Sequence, residues 1–199
     1  MIKEIIYKAL TLAALALALS ISSCGGKGDA GYAPRPQAYP RIEFPDSVYV
    51  PIEIGGVTML FNDSTEIHES PSGAMRGAWI DVRYKCLTSP ELYLTLTQSD
   101  DTLEIAEALE NRRERLALNL GQERAELIEL TSRGGWDCQL VVARASVTTP
   151  VQVLAWRHGE MLSGALVVNV PDSLRADPAY IAPVVEGVER DMLVLLKNL

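Results

Sequence analysis

Between residues 78 and 120 the apolar residues of this chain change their spacing, and that change limits what it can fold into. Across residues 78–85 and again across 91–97, apolar and polar side chains alternate, with Leu92, Leu94 and Leu96 on one side. A period of two marks a half-buried strand. Thr88, Ser89 and Pro90 stand between the two runs and predict a turn, hence an antiparallel hairpin. At residue 99 the period lengthens. Ser99, Asp100 and Asp101 supply side-chain acceptors, Glu104 follows Asp101 by three as in a capping box, and Leu103, Ala106, Leu109, Leu116 and Leu120 recur at helical spacing up to Gly121.

Beyond that helix the strand period returns. Residues 125–131 are ambiguous, and their second half reads as strand because Arg133, Gly134 and Gly135 form a turn before the strand-like 137–144. Thr148 to Pro150 and Arg157 to Glu160 separate two further strands, 151–156 and 161–170, so the segment predicts an antiparallel meander. Pro183 marks the start of a last helix, whose Val184, Val188, Met192, Leu195 and Leu199 form one apolar face. On the N-terminal side, 42–44 and 48–54 read as short extended pieces, with Pro51 restricting the second to a sheet edge. Residues 57–61 read as strand and 62–76 as loop. The expectation is an α+β fold, an antiparallel β-sheet flanked by two main helices.

The first residues carry a different message. Lys3 and Lys8 precede an Ala/Leu run from Ala9 to Leu19, and small residues bracket Cys24. Spanning a bilayer takes about 20 apolar residues, and this run is about half that. The stretch has the form of a bacterial lipoprotein signal, and likeness to the lipobox pattern implies cleavage before Cys24, a diacylglycerol thioether on its thiol and acylation of its amino group. Several acyl chains, at about 0.8 kcal/mol per buried CH₂, anchor stably where one does not. The expected organisation is a signal peptide over 1–23, lipidated Cys24 and a Gly/Pro-rich tether over 24–41, and one periplasmic domain over 42–199. Pro34, Pro36 and Pro40 favour an extended path of about 3.1 Å per residue. No acidic cluster follows Cys24, so the expected location is the outer membrane, facing the periplasm rather than the cell exterior.

Charge and absent motifs exclude several functions. With 18 basic and 26 acidic residues, a net charge of −8, the chain lacks the basic surface that nucleic acid requires. It has no P-loop, G-x-S-x-G, H-E-x-x-H, G-x-G-x-x-G or Asp-rich calcium loop. The expectation is therefore no enzyme, no cofactor and no metal site. His68 and His158 read as surface residues. Two readings of Cys86 and Cys138 stand side by side. One is a disulfide closing a loop of about fifty residues, stabilising by about 3–4 kcal/mol; the other is a pair of buried free thiols. Arg112, Arg113 and Arg115 among Glu107, Glu110 and Glu114 read first as a solvated helix face and second as a docking patch for an acidic partner.

Three stretches carry a likeness. Tyr32, Pro34, Arg35, Pro36, Tyr39, Arg41, Phe44 and Pro45 follow a Tyr-x-Pro-basic-Pro arm and an Arg-apolar-acidic-aromatic-Pro opening; Trp79 to Tyr84 form a Trp-Ile-Asp-apolar-x-Tyr strand; residues 162–166, Pro183 to Glu186 and Glu189 to Asp191 form a closing strand and helix. Together they resemble the gliding-motility lipoprotein D family. Lys85 and Cys86 stand where that pattern has Tyr-Pro, and residues 116–132 match it poorly. The resemblance implies a non-enzymatic part of the gliding and type IX secretion machinery of Bacteroidota, acting on the assembly or stability of partner envelope lipoproteins. The order of elements is also similar to the α/β/α sandwich of photosystem subunit P, an analogy of fold alone. Tyr32, Pro34, Pro36, Tyr39, Arg41 and Phe44 are the expected partner contacts, since an extended aromatic arm binds at low ordering cost. The alternative is a ligand-binding lipoprotein for a small molecule or glycan, its pocket lined by Trp79, Trp136 and Trp156. A hydrolase using His158 is the third reading.

Overall fold

The computed structural model describes residues 44, 48–72, 76–85, 91–145, 148–168, 179 and 181–199. In chain order the elements are β1 (Tyr49–Ile54), β2 (Val57–Asn62), β3 (Thr65–Pro71), β4 (Arg76–Tyr84), β5 (Glu91–Gln98), α1 (Thr102–Leu120), β6 (Ala125–Thr131), β7 (Asp137–Ala143), β8 (Val151–Arg157), β9 (Glu160–Val167) and α2 (Ala182–Asn198). The fold is α+β: an antiparallel sheet with a helix on either face.

Among the described residues seven strands form the main sheet in the order β3-β4-β5-β9-β8-β7-β6, and β1 and β2 form a separate hairpin. Every pairing is antiparallel. Gly55 and Gly56 close the β1–β2 hairpin at φ 57° and 78°, the doubly left-handed turn whose twist suits a two-residue connection. The order of the main sheet dictates where α1 runs. After β5 the chain crosses to the far edge at β6, four strand spacings or about 19 Å away, then returns by the meander β6-β7-β8-β9 to pair with β5. The 19 residues of α1 make that crossing; at 1.5 Å per residue they span about 28 Å.

The two faces of the sheet differ. On the inner face Ile80, Val82, Leu92, Leu94, Leu96, Leu140, Val142, Leu162 and Leu166 are buried beneath α2 and the β1–β2 hairpin. Every apolar position expected to face the sheet from α2 is buried, Leu199 included. Each such side chain contributes about 1.5–3 kcal/mol when fully buried. The outer face carries α1, and among the described residues nothing else packs on it as an element, with Trp79 exposed.

Two expectations need correction. Residues 65–71 are not loop but strand β3, paired along its length with β4. Its Glu66, His68, Glu69 and Pro71 resemble polypeptide that avoids pairing because β3 is an edge strand with an open face, where charge and proline block further strand addition. The stripe on α1 is met in part: Leu109 packs on the sheet and Leu116 faces it, but Ile105 rather than Leu103 is buried, and Leu103 and Leu118 are 71% and 79% exposed. Apolar residues lie all round this helix, so their period selects no single face; Leu154, Met161 and Trp156 on the sheet do. Its start is as expected, with Asp101 accepting from the Leu103 amide at 2.8 Å. Among the described residues no helix is long and apolar enough to cross a membrane.

Candidate functional site

Only the first half of α1 sits down on the sheet. Ile105 is buried with Leu154 and Met161, and Ala108, Leu109 and Trp156 pack around them. The second half stands off, and between it and strands β5, β9 and β8 lies a cavity of about 370 Å³. Arg112, Arg115, Leu116 and Asn119 form its roof; the spacing of three, four and seven puts all four on one helix face. Its floor is Tyr93 and Thr95 of β5, Ser163 of β9 and Gln152 of β8.

The floor is polar where a sheet face under a helix is ordinarily apolar. Gln152 is 5% exposed and Ser163 4%. Asn119 Nδ2 donates to Gln152 Oε1 at 3.2 Å, which leaves Gln152 Nε2 and Ser163 Oγ buried without a partner. An unmade hydrogen bond of this kind costs about 1–3 kcal/mol per group. Arg112 carries a strain of another kind: burial, then the like charge of Arg115, holds its pKa below the ordinary arginine value. Among the described residues neither guanidinium has a carboxylate partner. The arginine cluster thus divides. Arg113 behaves as a solvated face residue, 3.8 Å from Glu110 and with its Cζ 5.0 Å from the centre of the Trp156 ring, while Arg112 and Arg115 turn to the cavity.

A second polar cluster sits on the inner side. Asp191 of α2 is 2% exposed; its carboxylate accepts from Tyr49 Oη at 2.9 Å, Asn62 Nδ2 at 3.2 Å and Arg190 Nε at 3.4 Å. Burial, and then the charge and hydrogen bond of Asp191, raise the Tyr84 hydroxyl well above the usual tyrosine value. Phe44 packs edge-on to Tyr84 at 5.2 Å. This cluster joins β1, β2, β4 and α2.

The residues singled out from sequence fall in several places. Cys24, Tyr32, Pro34, Pro36, Tyr39 and Arg41 lie outside the described residues. Phe44, the described member of the expected contact arm, is half-buried against its own domain. The three tryptophans do not converge on a pocket: Trp136 is in the inner core, Trp156 lies beside α1, and Trp79 is 57% exposed. None of them lines the cavity under α1. His158 stands in the β8–β9 turn beside Ser99 and Asp100, but the Ser99 hydroxyl donates to Glu104 at 2.6 Å and Asp100 pairs with Arg76. His68 faces Asp81 across the β3–β4 pair. Among the described residues no group of three His, Cys, Asp or Glu side chains is placed to hold a metal.

Of the two cysteine readings, the free thiol holds for Cys138, which is buried on the inner face. Cys86 lies outside the described residues. Burial, and then the Asp137 charge, push the Cys138 thiol up to about 11 against a lowering hydrogen bond from Ser132. Unfolded thiols ionise near 8.5, so between about pH 9 and 11 the unfolded chain holds fewer protons and stability falls as pH rises, by up to about 2 kcal/mol. Tyr84 adds to the same trend above about pH 10. Urea midpoints at pH 8 and pH 10 should show the loss, and Cys138→Ala should flatten it; an equal slope in that variant would remove Cys138 as its source.

Gln152 and Ser163 were readable in principle. Each interrupts an apolar run, 151–156 and 161–167, at a position that shares a face with Leu154 and Met161. Arg112, Arg115 and Asn119 were readable as one helix face. What the sequence lacks is the crossing that sets these residues opposite one another. Comparison with protein-family models and with characterised proteins finds no match for the chain.

Proposed function

We propose that this domain is the periplasmic part of a lipid-anchored outer-membrane lipoprotein that works without catalysis, as an assembly or stability component of the gliding-motility and type IX secretion machinery. The observation that supports this reading is where the resembling residues go. Phe44 from the arm, Tyr84 from the Trp-Ile-Asp strand and Asp191 from the closing helix come from three separated stretches. In the fold they meet: the Phe44 ring rests on Tyr84, and Tyr84 is held by Asp191. Gly187, one turn before Asp191, has no room for a Cβ because the Phe44 ring would lie 2.5 Å from it. Motifs too short to persuade one by one form a single unit of packing. Phe44 is thereby held in the same unit as Tyr84 and Gly187.

The test is affinity recovery of the lipidated protein from its own envelope after crosslinking. Other envelope lipoproteins of the secretion and motility machinery are expected with it. The double variant Tyr32→Ser, Tyr39→Ser should lower that recovery at unchanged protein level. Normal secretion and normal abundance of those lipoproteins after deletion of the gene would sink the reading.

A further inference from the structure

We propose that the space between α1 and the sheet is a binding site for a small soluble molecule bearing a carboxylate or phosphate group, held by Arg112 and Arg115 and seated on Gln152 and Ser163. The inference is independent of the machinery that the domain serves. Its first ground is an arrangement that the fold alone does not explain. A helix packing on a sheet gains most from apolar contact, yet here the standing-off half of α1 faces buried polar groups whose hydrogen bonds are unmade. Groups of that kind persist where a partner from outside completes them.

The second ground is charge. Arg112 and Arg115 repel one another, and with no carboxylate beside them among the described residues the opposing charge has to come from elsewhere. An oxyanion between them would relieve the repulsion and accept from Gln152 Nε2, Ser163 Oγ and both guanidiniums, the forked geometry that arginine offers to carboxylate and phosphate. The third ground is shape. A cavity of about 370 Å³ falls within the roughly 300–1,000 Å³ of small-molecule sites. Leu116, Leu118, Leu154 and Val167 on its walls suit a short apolar body behind the anionic head. A lipid headgroup offers the same phosphate chemistry, but the cavity lies between a helix and the sheet it crosses, with Gln152 and Ser163 buried at its floor, which favours a small soluble molecule.

The experiment is calorimetric titration of the protein with inorganic phosphate and, separately, with hexanoate. One saturable site is expected for at least one of the two, weakened about tenfold to a hundredfold in Arg112→Ala, Arg115→Ala and unchanged in Arg113→Ala. Ser163→Ala separates a ligand group from a structural one. Removing an unpartnered buried hydroxyl should raise the melting temperature of the ligand-free protein by about 2–4 °C while weakening binding. A lower melting temperature would mean that the hydroxyl serves the fold, and would overturn the proposal. So would silence with both probes, binding indifferent to Arg112 and Arg115, or binding to phosphatidylglycerol vesicles in place of the soluble probes.

Discussion

Asp191→Ala should destabilise the domain by about 3–5 kcal/mol, the cost of removing one partner from a buried charged cluster. The carboxylate is 2% exposed and accepts from Tyr49, Asn62 and Arg190, and the Tyr84 hydroxyl leans on it as well. Truncation to a methyl leaves Asn62 Nδ2, on a residue 2% exposed, without its carboxylate acceptor, and an unsatisfied buried group costs about 1–3 kcal/mol. Asn62 cannot turn away cheaply, because its Oδ1 already accepts from the Ser64 amide at 3.1 Å and from Ser64 Oγ at 2.8 Å. Urea unfolding followed by tryptophan fluorescence measures the loss, and Trp136 in the core is a suitable reporter. Tyr49→Phe gives the control. Since it removes a donor from the same carboxylate, the pair should be non-additive by at least about 0.5 kcal/mol; additive losses would show that Asp191 acts through something other than this network.

This cluster illustrates what could be read beforehand and what could not. The hairpin β4–β5 and the face of α2 were readable because burial there is one-sided: Leu92, Leu94 and Leu96 are buried with polar neighbours between them, and Val184, Val188, Met192 and Leu195 keep a helical period. β3 was not, since an edge strand whose outer face meets solvent needs only Ile67 against the core and its other positions are free to be charged. The phase of α1 was unreadable for a related reason. With Leu103, Ile105, Leu109, Leu116, Leu118 and Leu120 spread around it, the choice of face belongs to the sheet, where Leu154 and Met161 receive Ile105.

The cavity under α1 is the clearest case of structure adding what sequence lacks. Arg112, Arg113 and Arg115 look equivalent in the chain, three cations among glutamates. The crossing of α1 from β5 to β6 makes them different. Arg113 reaches Glu110 and Trp156 over the docked part of the helix, and Arg112 and Arg115 hang over Gln152 and Ser163, which come 37 or more residues later. Long-range pairing of this kind leaves no local periodicity. A ligand site assembled from a crossing helix and two meander strands is visible only once the order β5-β9-β8 is known.

Gly187→Leu should cost about 3 kcal/mol, at the upper end of what overpacking a filled site does, and should displace the Phe44 ring from its site. The first atom of any side chain at Gly187 would fall 2.5 Å from Cγ and Cδ1 of Phe44 and 2.6 Å from Cε1. Those are ring atoms held in place by Tyr84 at their edge, so the ring has to leave the site. The inner half of the core, Val188, Met192, Leu195 and Leu196 against the sheet, is untouched, and the domain should still unfold cooperatively in urea. Phe44→Ala supplies the decisive comparison. On its own it removes the same aromatic contact and should cost about 2–4 kcal/mol. Added to Gly187→Leu it should cost almost nothing, because the ring is already displaced. If the two losses add instead, Phe44 and Gly187 are not one locking site.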